Sequence, residues 1–235
     1  MRNITPFPFL LFLLLFTFSV QSQVLEGTVL DKNIKETLPG ATVYLDGTTI
    51  STITDEQGNF RLNLNNINNT LVISFMGYTT NRIENPSQYA NKKLRVLLEE
   101  QSINLQEVVI GKGPFSRKEM MKVFKKHFLG ESKSAKSCKI ENEEDIILSY
   151  DLSNNTLNAS SRNPLKIKNN HLEYEINFDL VEFIASFKFK TIDDHYLAQS
   201  YFSGTTFYKD LSKNKKADKK RKENFYGSTY HFMHT

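Results

Sequence analysis

From Val24 to Glu100 the chain is cut into short runs in which apolar residues fall on every second position, with a turn signal between runs. In Asn59-Phe60-Arg61-Leu62-Asn63-Leu64 the alternation is complete, Phe60, Leu62 and Leu64 lying opposite Asn59, Arg61 and Asn63. Successive side chains of a strand point to opposite faces, so each run has one apolar and one polar face. Such strands bury their apolar faces by packing sheet on sheet. Leu25, Gly27 and Val29 repeat the pattern, as do Ala41, Val43 and Leu45, and Leu94, Val96 and Leu98. Pro39-Gly40 and Asp46-Gly47 are turn dipeptides, the glycine supplying a backbone conformation other residues avoid. The pattern predicts a seven-stranded antiparallel β-sandwich.

The stretch Asp55-Glu56-Gln57-Gly58-Asn59 is the one that most resembles a chemical site, and three readings compete for it. A calcium loop needs oxygen ligands at positions 1, 3 and 5 with glycine at 6; taking Gly58 as that glycine puts Ile53 first. As an acid–base pair, Asp55 and Glu56 would point to opposite faces of an extended chain, and no His, Lys or nucleophile stands nearby. A turn remains. Asp55 is expected to accept hydrogen bonds from the turn backbone, Gly58 to supply a positive φ, and Phe60 to enter the core and set the register.

The order of these elements resembles the carboxypeptidase regulatory-like domain, a transthyretin-like sandwich. The matching positions are Gly27 and Val29, Leu38-Pro39-Gly40-Ala41 with Val43, Gly47-Thr48-Thr49, Thr54-Asp55 with Gly58 and Phe60, and Gly77-Tyr78. The resemblance implies a non-catalytic module of Gram-negative envelope proteins, with Gly40, Gly47, Asp55, Gly58, Phe60, Gly77 and Tyr78 as its turn and core residues. Leu105, Glu107, Val108, Val109 and Ile110 are similar to the segment after this domain in TonB-dependent outer-membrane receptors. The residues that follow are too few for a plug and a barrel, so a transporter is not expected.

The first residues place Arg2 ahead of an apolar run, Phe7 to Phe18, followed by small and polar residues. That run falls short of the ~20 residues of a membrane span and reads as an export signal, with cleavage before Gln23. No Cys follows it, which argues against a lipoprotein. Export through the Sec pathway to the periplasm or outer membrane is expected. Cys138 is the single cysteine, so neither an internal disulfide nor a zinc site can form around cysteines.

The net charge of +4 is uneven: Lys213 to Lys222 hold seven Lys or Arg against one Asp, a charge of +6 that leaves −2 elsewhere. This run reads as a solvated linker or helix face, with weak contact to an anionic membrane as the alternative. Export makes nucleic acid an unexpected partner; another envelope protein or a surface glycan is expected instead.

Ser116 with Glu119 forms a capping-box pattern before Met120, Val123, Phe124, Phe128 and Leu129, which share a helix face, and Gly130 ends the helix. The remainder is rich in strands. One long run carries Leu172, Tyr174, Ile176, Phe178 and Leu180, then shifts phase to Val181, Phe183, Ala185, Phe187 and Phe189, which predicts a β-bulge. Asn163-Pro164-Leu165, Phe178-Asp179-Leu180, Phe225-Tyr226-Gly227-Ser228 and His231-Phe232 resemble exported proteins that carry this regulatory-like domain and continue further.

The expected organisation is a signal over 1–22, the sandwich over 23–100, a linker strand and amphipathic helix over 101–135, and a β-rich domain with a C-terminal helix over 136–235, incomplete by that resemblance. No zinc-peptidase spacing, nucleophile elbow or phosphate loop occurs. His127 and Glu131 are one residue too far apart for His-x-x-Glu, and Tyr174 occupies the third position after His171. Neither enzyme activity nor a cofactor is expected. Two alternatives stand beside that reading: a site built from Asp179, Glu182, Asp193, Asp194 and His195, or an accessory of outer-membrane transport or assembly that works through strand edges.

Overall fold

The computed structural model describes residues 23–65, 67–90, 92–101, 113–213, 215–226 and 228. The expected signal over 1–22, the strand at Leu105 to Ile110, and Gly227, His231 and Phe232 lie outside them.

The N-terminal part is the expected seven-stranded sandwich. One sheet holds β1 (Val24–Asp31), β4 (Asn59–Asn63) and β7 (Lys93–Leu98), in the order β4-β1-β7. The other holds β2 (Thr42–Leu45), β3 (Ser51–Ile53), β5 (Leu71–Ser74) and β6 (Asn81–Ile83), in the order β3-β2-β5-β6. Leu25, Val29, Val43, Phe60, Leu62 and Val96 meet in the core between them. Phe60 lies opposite Gly27 in register, and a Cβ at Gly27 would come 2.6 Å from its ring, so the glycine makes room for the aromatic group.

The antiparallel expectation needs one correction. β1 and β7 run parallel, from Glu26 opposite Lys93 to Asp31 opposite Leu98. Between them the chain passes through the other sheet and re-enters from the same end, and such a long crossover is what a parallel pair requires.

The second part packs helix α1 (Arg117–Leu129) and a short helix α2 (Lys133–Lys136) with a six-stranded sheet. Its strands are β8 (Cys138–Ile140), β9 (Ile146–Asp151), β10 (Thr156–Ser161), β11 (Leu165–Asn169), β12 (Tyr174–Phe187) and β13 (Leu197–Asp210). β12 and β13 form a long hairpin. The other edge of β12 is shared: β11 takes Tyr174 to Phe178 and β10 takes Phe183 to Ser186. The register shift between Leu180 and Glu182 falls in the gap between those two partners. Val181 is extruded there and is 57% exposed, while Phe178 and Leu180 before it and Phe183, Ala185 and Phe187 after it all face the core. This is the bulge the phase shift predicts.

α1 begins with the predicted capping box, in which the Ser116 N–H donates to Glu119 Oε2 at 2.8 Å and the Glu119 N–H donates to Ser116 Oγ at 3.3 Å. The helix does more than connect. Phe124, fully buried, packs edge-on against Phe183 with centroids 4.8 Å apart, and Phe128 meets Phe178 at 5.0 Å.

A third helix, α3 (Lys216–Phe225), carries most of the basic run. It is anchored by Arg221, whose guanidinium sits 3.8 Å from the Tyr174 ring centroid, donates to both Asp210 carboxylate oxygens at 2.9 and 2.8 Å, and also reaches the Leu172 and Glu173 carbonyls. So this one cation of the run is structural, its side chain only 15% exposed. A planar fork that stacks and chelates at once is a property of arginine that lysine does not share.

Candidate functional site

The five residues of the enzymatic alternative do not come together. Asp179 accepts from Arg82 Nη2 at 2.9 Å, on the side where the sandwich sits. Asp194 is held by Lys126 and by His127 Nε2, the latter at 2.8 Å. Asp193 accepts the His195 N–H at 3.0 Å at a short turn, and Glu182 is exposed beside the bulge. Among the described residues no group of three His, Cys, Asp or Glu side chains is placed to hold a metal. Cys138 is partly buried, and that burial pushes its thiol up, away from the thiolate a nucleophile needs.

The turn at Asp55 is built from its own side chain. Asp55 Oδ1 accepts the N–H groups of Gln57 at 3.0 Å and Asn59 at 2.7 Å, and the Gly58 N–H closes on the Asp55 carbonyl at 2.9 Å. Gly58, at φ +70°, turns its carbonyl to accept the Val29 N–H at 2.8 Å, tying the turn to β1. Gly40, Gly47 and Gly77 also occupy positive-φ turns.

Tyr78 closes a latch that sequence reasoning missed. Its hydroxyl donates to Asp31 Oδ2 at 2.8 Å, while Asp31 Oδ1 accepts the N–H groups of Asn33 at 2.6 Å and Ile34 at 3.0 Å. The Ile34 N–H, and then Tyr78, hold the Asp31 carboxyl below the usual range; that same hydrogen bond pushes the Tyr78 phenol up to about 12. The available signal was an Asp at the end of a strand just before a turn, the usual place for such a cap.

Asp210 is held far below the usual range by its hydrogen bonds from Arg221. A carboxylate whose pKa is depressed by folding contributes stability that is complete above its unfolded value, about 4, and is lost as pH falls through the folded value. The melting temperature should therefore drop as pH is lowered from about 5 to about 2. Asp210→Asn should melt lower at neutral pH and show a shallower acid decline. An acid slope equal to that of the unsubstituted chain would refute this role for Asp210.

The largest feature absent from the sequence expectations is the contact between the two parts. The outer face of β2 and β5 is covered at Tyr44 and Val72, while Arg82 of β6 remains exposed beside them. Tyr44 is buried there, its hydroxyl 3.2 Å from Thr205 Oγ1 and its ring 5.4 Å from that of Phe207. That burial pushes the Tyr44 phenol up. Val72, opposite Tyr44 and Arg82 in the ladders, is fully buried although it stands outside the sandwich core.

Backbone pairing joins the same two surfaces. The Gly47 N–H donates to the Thr206 carbonyl at 2.7 Å, the Tyr208 N–H to the Thr48 carbonyl at 3.0 Å, and the Thr206 N–H to Asp46 Oδ1 at 2.6 Å. The sandwich thus lends a short parallel bridge, Thr48 opposite Phe207, to the outer edge of β13. Upstream of this bridge that edge continues past Gly204, Phe202 and Ser200, whose outward backbone groups find no partner among the described residues. It is the exposed polar backbone of this edge, rather than any side-chain constellation, that forms the candidate site.

No curated protein matches the chain. Among solved structures it is similar to a cohesin–X-dockerin complex of Acetivibrio cellulolyticus, with 26% identity over 32% of this chain and 56% of that one and a TM-score of 0.26. The chain thus spans little more than half the length of that relative. It is also similar to a DUF3823 family protein from Bacteroides ovatus, with 11% identity over 82% of this chain and 83% of that one and a TM-score of 0.25. A family model described as a CarboxypepD_reg-like domain matches residues 25–110, the stretch that holds the two-sheet core of the N-terminal sandwich.

Proposed function

We propose that the protein is a non-catalytic, exported component of the cell envelope in which the sandwich braces the C-terminal sheet and the sheet binds another envelope protein. The carrying observation is that the outer face of the sandwich docks on β12 and β13, through Tyr44 against Thr205 and Phe207 and Arg82 on Asp179, which leaves the C-terminal sheet as the surface that works. The apolar run at Phe7 to Phe18 supports export, and a regulatory-like domain is a non-catalytic module. No described helix is long and apolar enough to cross a membrane.

The test is the double substitution Tyr44→Ala with Arg82→Ala. Truncating a buried aromatic costs about 3–5 kcal/mol, so the melting temperature should fall by roughly 6–15 °C. Backbone hydrogen exchange should speed up at Thr206 and Tyr208. Unchanged protection there would overturn the brace, and hydrolysis of a peptide or ester that a single substitution abolishes would overturn the non-catalytic reading.

A further inference from the structure

We infer that the outer edge of β13 from Ser200 to Gly204 is a slot for an extended peptide of a partner protein, which adds beside β13 as a further strand. The inference rests on the protein-binding reading above and names the chemistry of the partner. Thr206 and Tyr208 direct backbone groups to the outer edge, where Asp46, Gly47 and Thr48 receive them. Outward-facing residues recur every second position. β13 keeps an unbroken register from Thr206 to Gln199, the bulge lying on β12, so Gly204, Phe202 and Ser200 face the same way.

Their N–H and C=O groups have no partner among the described residues. The edge is also undefended. Proteins usually blunt such edges with charges, proline or a bulge, yet Leu197 to Tyr208 contains no charged residue and no proline. Tyr201, 55% exposed, and Phe202, 41% exposed, flank the slot on opposite faces of the sheet, ready to cover apolar side chains of an added strand. The turn at Asp46–Thr48 already pairs its backbone with this edge through a single bridge, and it closes the slot at one end. The fitting occupant is an uncharged, proline-free segment of about five to seven residues.

A second copy fits less well. Two edges paired about Phe202 would share only Ser200 to Gly204 before each met the other's Asp46–Thr48 segment, too short a contact for the ~800 Å² per partner of a stable dimer.

The experiment pans a displayed library of random peptides of roughly ten residues against the full chain, then titrates the best synthetic peptide. Enriched sequences should contain a proline-free alternating stretch. N-methylation should abolish binding at alternate peptide amides and spare the intervening ones, and Ser200→Pro, which removes an outward N–H without touching the β12 ladder, should weaken binding at least about tenfold. The methylation scan uses the unsubstituted protein and stands even if that variant fails to fold. No enrichment over an unrelated control protein, or binding that tolerates methylation at every position, overturns the slot. A dimer that Ser200→Pro converts to monomer overturns it too, in favour of a second copy. If exchange at Thr206 and Tyr208 still quickens in the Tyr44→Ala, Arg82→Ala double variant and no hydrolysis is seen, such a failure removes the slot alone and leaves the brace standing.

Discussion

Gly58→Val is expected to lower the melting temperature by roughly 6–15 °C, from a cost of about 3–5 kcal/mol. Two effects add. Gly58 sits at φ +70°, where an L side chain costs about 1–3 kcal/mol and a β-branched one is least tolerated. A Cβ there would also lie 2.7 Å from the Val29 carbonyl oxygen and 3.0 Å from Thr37 Cβ. That oxygen accepts the Leu38 N–H at 3.0 Å, so the strain passes into the backbone that ties the first loop to β1. Phe60→Asp should be of similar severity, because it sets a charge between the two sheets. Glu56→Gln is the control. Glu56 is exposed and makes no hydrogen bond or ion pair among the described residues, so its replacement should stay within about 0.5 kcal/mol. Thermal melts of the three variants decide the matter. Equal losses from all three, or a Gly58→Val melt that matches the unsubstituted chain, would show that the turn does not hold the fold.

What was legible in the sequence was whatever is written locally. The alternation at Phe60, Leu62 and Leu64, the capping box of Ser116 and Glu119, and the phase shift at Val181 each lie within one element, and each appears in the structure. The parallel pairing of β1 and β7 does not lie within one element. Alternation specifies which face is buried but says nothing of strand direction. The domain contact left a trace that went unread: Leu71-Val72-Ile73 and Val43-Tyr44-Leu45 are continuous apolar runs, the mark of strands covered on both faces. Even so, Arg82 and Asp179 meet across 97 residues of chain, and nothing near either one announces the other. Arg221 was hidden by its neighbours, since a run of cations looks uniformly solvated until Tyr174 and Asp210 single out the one guanidinium.

Gly204→Val sets two physical rules against each other, and the sign of the result tells which governs β13. Strand propensity alone favours valine over glycine by up to about 1 kcal/mol. Local packing forbids it. Gly204 lies opposite Leu180, beside the bulge, and a Cβ there would come 2.4 Å from the Asp179 carbonyl oxygen and 2.5 Å from the Phe178 ring. The ring fills the space a side chain would take, much as Phe60 does over Gly27. Neither neighbour yields easily, because Phe178 is wedged between Phe128 and Phe202 and the Asp179 side chain is held by Arg82. Overpacking of this kind costs about 1–3 kcal/mol; with the propensity set against it, about 1–2 kcal/mol remains, which lowers the melting temperature by roughly 2–8 °C. Displacement of Asp179 should also loosen the brace, so exchange at Thr206 and Tyr208 should quicken together with the melt. A variant that melts higher than the unsubstituted chain would mean that Phe178 can swing aside, and that the glycine is not what lets β12 and β13 approach at the bulge.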